Sequence, residues 1–267
     1  MPLHNVDFDY IVFMNKRFLL VMIVIIINVL HASAQVNPKD SIVFTPIVST
    51  SVSVNFPGGD LVNRFGMNGS LGGAFSFKTR TNWLFGFKYD YIFGKDVKEG
   101  QILNQLKTKD GFIINSDGML SETDLLERGY VLKGIFGRVI PLFGEAKLGP
   151  NINSGLFCWI GLGILQHRIH IKSEVPQLQG EYSKGYDRLS NGIAVSEFIG
   201  YMYLGNSRMI NFYFGFELNQ AWTKNRRGYN YDTMSVDEEL RFDVLTGFRF
   251  GWILPLYKKV PSEFYYN

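Results

Sequence analysis

The chain has 267 residues and a formal charge of only +3, from 27 Lys+Arg against 24 Asp+Glu, so it offers no basic run for a nucleic acid to hold. Its one cysteine, Cys158, excludes an intramolecular disulfide and the paired cysteines of metal and redox sites. Aromatic residues make up 15%, with 23 Phe and 14 Tyr, and 28 Gly against 9 Pro suit a chain of many short strands and turns.

At the N-terminus, Asn15-Lys16-Arg17 precedes the apolar run Phe18–Leu30 and then Ala32-Ser33-Ala34. These are the charged, hydrophobic and small-residue parts of a cleaved secretory signal peptide. It begins at Met14, which makes residues 1–13 an upstream start and residues 35–267 a single exported domain. The apolar run is short for a helix that needs about 20 residues to span hydrocarbon, and no later stretch is a candidate for one. A mature chain seated in a membrane would therefore have to be a closed barrel.

Successive residues of a strand point to opposite faces, and this alternation recurs along the chain. Val48–Phe56 sets Val48, Thr50, Val52, Val54 and Phe56 against Ser49, Ser51, Ser53 and Asn55, and stops at Pro57-Gly58-Gly59-Asp60. After a polar connection to Ser70, Leu71–Lys78 is a second strand, followed by a tight turn at Thr79-Arg80-Thr81-Asn82. Trp83–Phe93 gives Trp83, Phe85, Phe87, Tyr89, Tyr91 and Phe93 on one face, with Lys88 and Asp90 on the other. No soluble core calls for that pairing, whereas lipid outside and a polar lumen explain both faces.

A long polar excursion runs from Gly94 to Arg128, with a short helical turn expected at Asp124-Leu125-Leu126-Glu127. Gly129–Val139 is a fourth strand, and Pro141–Ser154 is a moderate connection. Gly155–Lys172 is a fifth strand, apolar on both sides over Leu156–Ile164, where a bulge or a shifted face is expected. Beyond that, Leu165, His167, Ile169 and Ile171 alternate with Gln166, Arg168, His170 and Lys172, which directs His167 to lipid and His170 inward. Ser173–Asn191 is a polar loop, Ile193–Leu204 a sixth strand, and Gly205-Asn206-Ser207-Arg208 a tight turn. Ile210–Trp222, the loop Thr223–Leu240, the strand Arg241–Leu256 and the tail Lys258–Asn267 complete the chain.

The connections run long, short, long, moderate, long, short, long. Outer-membrane barrels combine short periplasmic turns, longer outer loops and an even strand number. The pattern predicts an all-β, eight-stranded antiparallel transmembrane barrel with both termini periplasmic. Having those strands, the chain resembles the small eight-stranded outer-membrane barrel proteins of Bacteroidota. The likeness covers nearly all of the mature chain, through stretches such as FTPIVSTSVSVNFPGGDLVNRFG, NGIAVSEFIGYMYL, INFYFGFELNQAWTKNRRGYNYD and GWILPLYKKVPSEFYYN. Gly247, Phe250 and Trp252 are similar to the closing-strand spacing that barrel-assembly machinery reads, although the chain continues past it. The resemblance implies the outer membrane and implies no known reaction.

An eight-stranded barrel is just wide enough inside for side chains to fill it. Lys78, Lys88, Asp90, Lys133, Glu197, Glu217, Asp243 and Arg249 are read as facing inward, as a charge network that plugs the lumen. The alternative is a narrow solute path. For catalysis, His170 and His167 lie near the outer end of the fifth strand, where an outer-membrane hydrolase or acyltransferase would need a nucleophile and a carboxylate beside them. Ser173, Glu174 and Ser196 are conceivable partners, with nothing in the spacing to demand them. No metal set and no phosphate-binding glycine loop is present in the pattern, and no cofactor is expected. In the last loop Arg226, Arg227, Tyr229 and Tyr231 are contact candidates, of residue types common at binding hot spots and, for Arg, at anionic lipopolysaccharide. The reading is a non-catalytic outer-membrane barrel, structural or accessory to a larger assembly, with membrane lipid, lipopolysaccharide and other outer-membrane proteins as neighbours.

Overall fold

The computed structural model describes residues 44–115, 117–121, 123–141, 152–173, 175, 178, 180–205 and 210–256. The expected signal peptide, the tail at 258–267 and most of the turns at 141–154 and 205–208 lie outside those residues. Eight strands form the wall: β1 Thr45–Gly59, β2 Asn68–Lys78, β3 Trp83–Gly94, β4 Thr123–Ile140, β5 Gly155–Ser173, β6 Ser190–Leu204, β7 Asn211–Asn225 and β8 Leu240–Pro255. Each is antiparallel to the next, and β1 pairs with β8 to close the ring, from Ile47 opposite Pro255 to Gly59 opposite Asp243.

The wall is apolar outward. Phe87 is 71% exposed, whereas its neighbour Lys88 is 3% exposed. Water would reward the opposite arrangement, so the medium against this wall is hydrocarbon. Aromatic pairs rim the band. Trp83 stacks on Phe136 at 4.9 Å and carries the Arg138 guanidinium over its ring at one end, and Tyr89 stacks on Tyr130 at 5.8 Å towards the other. The predicted turn Thr79–Asn82 is present. The Thr79 amide donates to the Trp83 carbonyl at 2.7 Å, and Asn82 takes a left-handed φ of 63°, which Asn tolerates.

Longer connections gather at the opposite end and fold over the mouth. After β1 comes a one-turn helix, α1 (Leu61–Arg64), and after β3 a 3₁₀ segment, Gly100–Leu106. Leu61, Phe65, Ile102 and Leu103 drop onto Val131, Leu165, Ile169 and Leu245, which project inward from the wall. At the turn end a second cluster fills the lumen with Leu84, Ile135, Phe157, Trp159, Phe198, Tyr213 and Ile253. Trp159 and Phe198 stack there at 5.5 Å, nearly parallel. Between these two apolar plugs lies the charged belt.

Three local expectations are corrected. The expected helical turn at Asp124–Glu127 is the first part of β4, where Glu127 lies opposite Gly94 on one side and Ile169 on the other. No bulge interrupts β5, which pairs with β4 without a break from Thr123–Ser173 to Ile140–Leu156. Its first half is apolar on both sides because Phe157 and Trp159 enter the turn-end plug while Ile160 and Leu162 face lipid. In its second half the faces are the reverse of the expectation. Leu165, His167, Ile169 and Ile171 point inward beneath the loop cap, and Arg168, His170 and Lys172 point outward.

Candidate functional site

The belt is built from four strands. From β3 come Lys88 and Asp90, from β4 Lys133, from β7 Glu217 and from β8 Arg249, each less than 4% exposed. Lys88 Nζ donates to both Asp90 oxygens, at 2.7 and 2.9 Å, and lies 3.7 Å from Glu217 Oε2. Lys133 Nζ reaches Glu217 Oε1 at 2.5 Å, Asn219 Oδ1 at 2.8 Å and Asp90 Oδ2 at 3.4 Å. Arg249 donates from Nη1 to Asp90 Oδ1 at 2.8 Å and to Ser51 Oγ at 2.7 Å, and its Nε contacts Glu217. Three cations thus surround two carboxylates, and Trp159 takes up part of the excess, its ring centroid 5.2 Å from Lys133 Nζ. Charges removed from water are tolerable only when paired this completely.

The other predicted lumen residues leave the belt. Lys78 is inward but lies at the turn end, where it donates to Asn153 Oδ1 at 2.8 Å. Asp243 lies at the loop end and accepts from Thr223 Oγ1 at 2.5 Å, with His167 Nε2 at 2.9 Å. Glu197 is corrected outright. Ser196 and Phe198 on either side of it are buried in the lumen, so Glu197 projects from the lipid-facing row with Ile193 and Ile199. It borders a groove of about 780 Å³ on the outer wall, lined among others by Phe87, Gly134, Phe136, Ile160 and Leu162.

Sequence reasoning missed two polar features. A chain of side-chain hydrogen bonds climbs from the belt: Ser70 to Ser53 at 2.5 Å, Ser53 to Asn55 at 2.8 Å, Asn55 to Asn68 at 2.9 Å and Asn68 to Glu127 at 3.2 Å. The serine face of the first strand signals it, but the partner strand is needed to see it. Second, a polar cavity of about 190 Å³ opens at the mouth, lined by Arg64, Glu99, His167, Arg188, Arg241 and Asp243 among others. Arg64 Nε holds Glu99 at 2.9 Å, and Arg188 Nε lies 2.7 Å from the same carboxylate.

His167 faces inward rather than to lipid, 2% exposed, with Phe65 packed edge-on at 5.6 Å. His170 faces outward rather than inward, and the two rings share no site. Neither meets the serines expected of it. Ser196 Oγ donates to Asn219 at 2.8 Å, and Ser173 Oγ accepts from Thr123 at 3.2 Å. Glu174 lies outside the described residues. The loop candidates are largely satisfied by the protein itself. Arg226 Nε donates to Asn191 Oδ1 at 2.6 Å. Arg227 clasps Asp187 with Nε at 2.7 Å and with Nη2, and these bonds hold the guanidinium above its ordinary pKa. Tyr231 packs on Tyr182 at 5.3 Å and on Tyr186 at 5.6 Å, and burial pushes the Tyr186 phenol up to about 12. Tyr229 is 42% exposed and remains open to a partner.

No family model matches the chain, and no curated protein does. Among solved structures it is similar to Neisserial surface protein A, at a TM-score of 0.40 and 10% identity over 78% of this chain and 96% of that one. It is also similar to Ail, the attachment invasion locus protein of Yersinia pestis, at 0.37 and 8% over 81% and 100%. A third is the outer membrane protein OprG from Pseudomonas aeruginosa, at 0.33 and 11% over 81% and 98%. A likeness this loose carries nothing about ligand, partner or reaction.

Proposed function

We propose that the protein is a non-catalytic integral barrel of the outer membrane, an accessory subunit or structural element of a larger assembly there. Its turns face the periplasm and its long loops the exterior, in keeping with the usual lengths of each. The Bacteroidota attribution rests on the sequence resemblance.

The observation that carries this reading is the lumen filled by side chains. The belt of Lys88, Asp90, Lys133, Glu217 and Arg249 pairs its charges internally and lies between two apolar clusters, with the hydrogen-bond chain from Ser70 to Glu127 passing beside the one at the loop end. Side chains thus fill the lumen, and the outer wall and the loops are the surfaces left for work. Glu197 supports a protein neighbour in particular. An ionisable side chain facing hydrocarbon is costly, and such residues ordinarily meet a partner. Midway along β6, the Glu197 carboxylate has neither a hydrogen bond nor an ion pair among the described residues.

The test is a mild-detergent pull-down of the tagged mature protein from native outer membranes. We expect a stoichiometric membrane protein that is lost from the Glu197→Leu variant, and a lone barrel would overturn the subunit reading. Planar-bilayer recording of the purified protein should show no conductance steps; discrete steps would show that the lumen is not sealed.

A further inference from the structure

The two longest strands, β4 and β5, carry cations and an apolar groove in sequence along one outer face. Arg128 and Arg168 lie directly opposite each other in the register. Like charges so placed destabilise a sheet unless something lies between them. Among the described residues neither is in an ion pair. Arg128 Nη1 donates to the backbone carbonyl of its neighbour Glu127 at 2.8 Å. His170 and Lys172 extend the outward row of β5, with Asp124 opposite Lys172.

One step towards the middle of the wall, Tyr130 donates to Gln166 Oε1 at 3.3 Å, and Tyr91 lies opposite Tyr130. This is the aromatic rim, so Arg128 and Arg168 stand just outside it, at headgroup height. Further in, the same outward rows become Leu132 and Gly134 on β4, and Ile164 and Leu162 on β5. Gly134 lies between Phe87 and Leu162 in the register. A Cβ there would meet nothing nearer than the Leu162 carbonyl at 3.9 Å and Phe87 Cε1 at 4.0 Å. The fold does not require glycine at this point; its effect is to leave the floor of the groove open. Gly134 is six residues from Arg128, or about 20 Å along the strand. A strand tilted by about 45° turns this into roughly half of the hydrocarbon thickness.

We propose that β4 and β5 form a binding site for a phosphate-bearing lipid. The phosphate sits between the Arg128 and Arg168 guanidiniums. One acyl chain runs down over Leu132 and Ile164 into the part of the groove floored by Gly134, two strands away from Glu197. Guanidinium matches phosphate geometry with paired hydrogen bonds, and an anion there relieves the repulsion that the register imposes. The proposal rests on the membrane placement above and names one lipid-facing site within it.

The mature barrel is purified and mixed in detergent with phosphatidic acid or phosphatidylcholine of the same chains, and retained lipid is counted by native mass spectrometry. We expect phosphatidic acid to be retained in preference. Its retention should fall roughly tenfold in the Arg128→Gln, Arg168→Gln double variant, the size expected for a lost charge-assisted hydrogen bond. Gly134→Phe should lower it too. Lys224→Gln, which removes an outward cation on β7, should leave it unchanged. Equal retention of the two lipids, or full retention by the arginine variant, overturns the site. Displacement by inorganic phosphate means that the headgroup alone is bound and overturns the lipid assignment. Heat-dependent gel mobility establishes that each variant is folded. Flotation with phosphatidylcholine vesicles tests the membrane placement separately: a barrel that floats without discriminating lipids refutes this site alone, and one that does not float refutes both readings.

Discussion

The outward face of β5 changes character halfway along the strand, while its inward face stays largely apolar. Between Leu156 and Ile164 the outward side chains are aliphatic except for Cys158; from Gln166 to Lys172 they are polar or charged, while Ile169 and Ile171 point inward. The register with β4 does not change between the halves, so the backbone does nothing to cause the change on the outward face. The medium does. Below the aromatic rim the wall meets hydrocarbon, and the polar groups must collect in the lumen. Above the rim it meets water, and the apolar groups must collect under the loop cap. One strand therefore carries the signature of a membrane protein along part of its length and of a soluble protein along the rest.

The comparison is broken most forcefully from inside the membrane half. Glu217→Gln leaves Lys88, Lys133 and Arg249 facing Asp90 alone, and the loss should be about 3–5 kcal/mol, as for other half-deleted buried ion pairs. Urea unfolding in micelles measures it, and a loss below about 1 kcal/mol would mean that water reaches the belt. The boundary itself is located by two outward positions on β5. Leu162→Arg should cost about 2–4 kcal/mol and His170→Arg about 0–1 kcal/mol, the contrast between an Arg introduced at the bilayer midplane and one introduced near the interface; equal costs would place the rim wrongly. In the upper half, His167→Phe leaves Asp243 with Thr223 as its side-chain hydrogen-bond partner, for about 1–3 kcal/mol.

The smallest effect lies in the loop before β8. Burial raises the pKa of Asp237, but the hydrogen bonds of Arg241, at 2.8 and 2.9 Å, outweigh it and hold the carboxyl below its ordinary value. A depressed folded pKa contributes stability above the unfolded value of about 3.9, and that contribution is lost as pH falls through the lower folded one. Protease nicking within residues 226–239 should therefore quicken only in the acid range, and Asp237→Asn should abolish the pH step.

Much of the barrel is legible in the chain because lipid imposes a coarse and repetitive demand. The outward row from Trp83 to Phe93 and the valine row of β1 could belong to little else, and the tight turn at Thr79–Asn82 was marked by its composition. The charged belt was partly legible for the same reason: Lys88 and Asp90 lie opposite aromatics. Glu197 was misplaced because charge was read as a sign of the lumen, whereas its face is set by Ser196 and Phe198 beside it. The histidines were exchanged because Ile169 and Ile171 look like lipid-facing residues to a rule that ignores how far β5 rises. Phe65 was hidden in a connection read as polar, and nothing local says that it closes the mouth.

By itself, then, the sequence determined the eight strands, the alternation of short and long connections and the apolar exterior of the central band, since each depends on residues close together in the chain. Tertiary structure alone decided where the wall leaves lipid, and hence the sign of each face above the rim. It alone decided which charges meet: Lys133 and Glu217 stand 2.5 Å apart but are 84 residues apart in the chain. Closing a ring of tilted strands brings such residues to one height, and that height depends on the register of every strand between them.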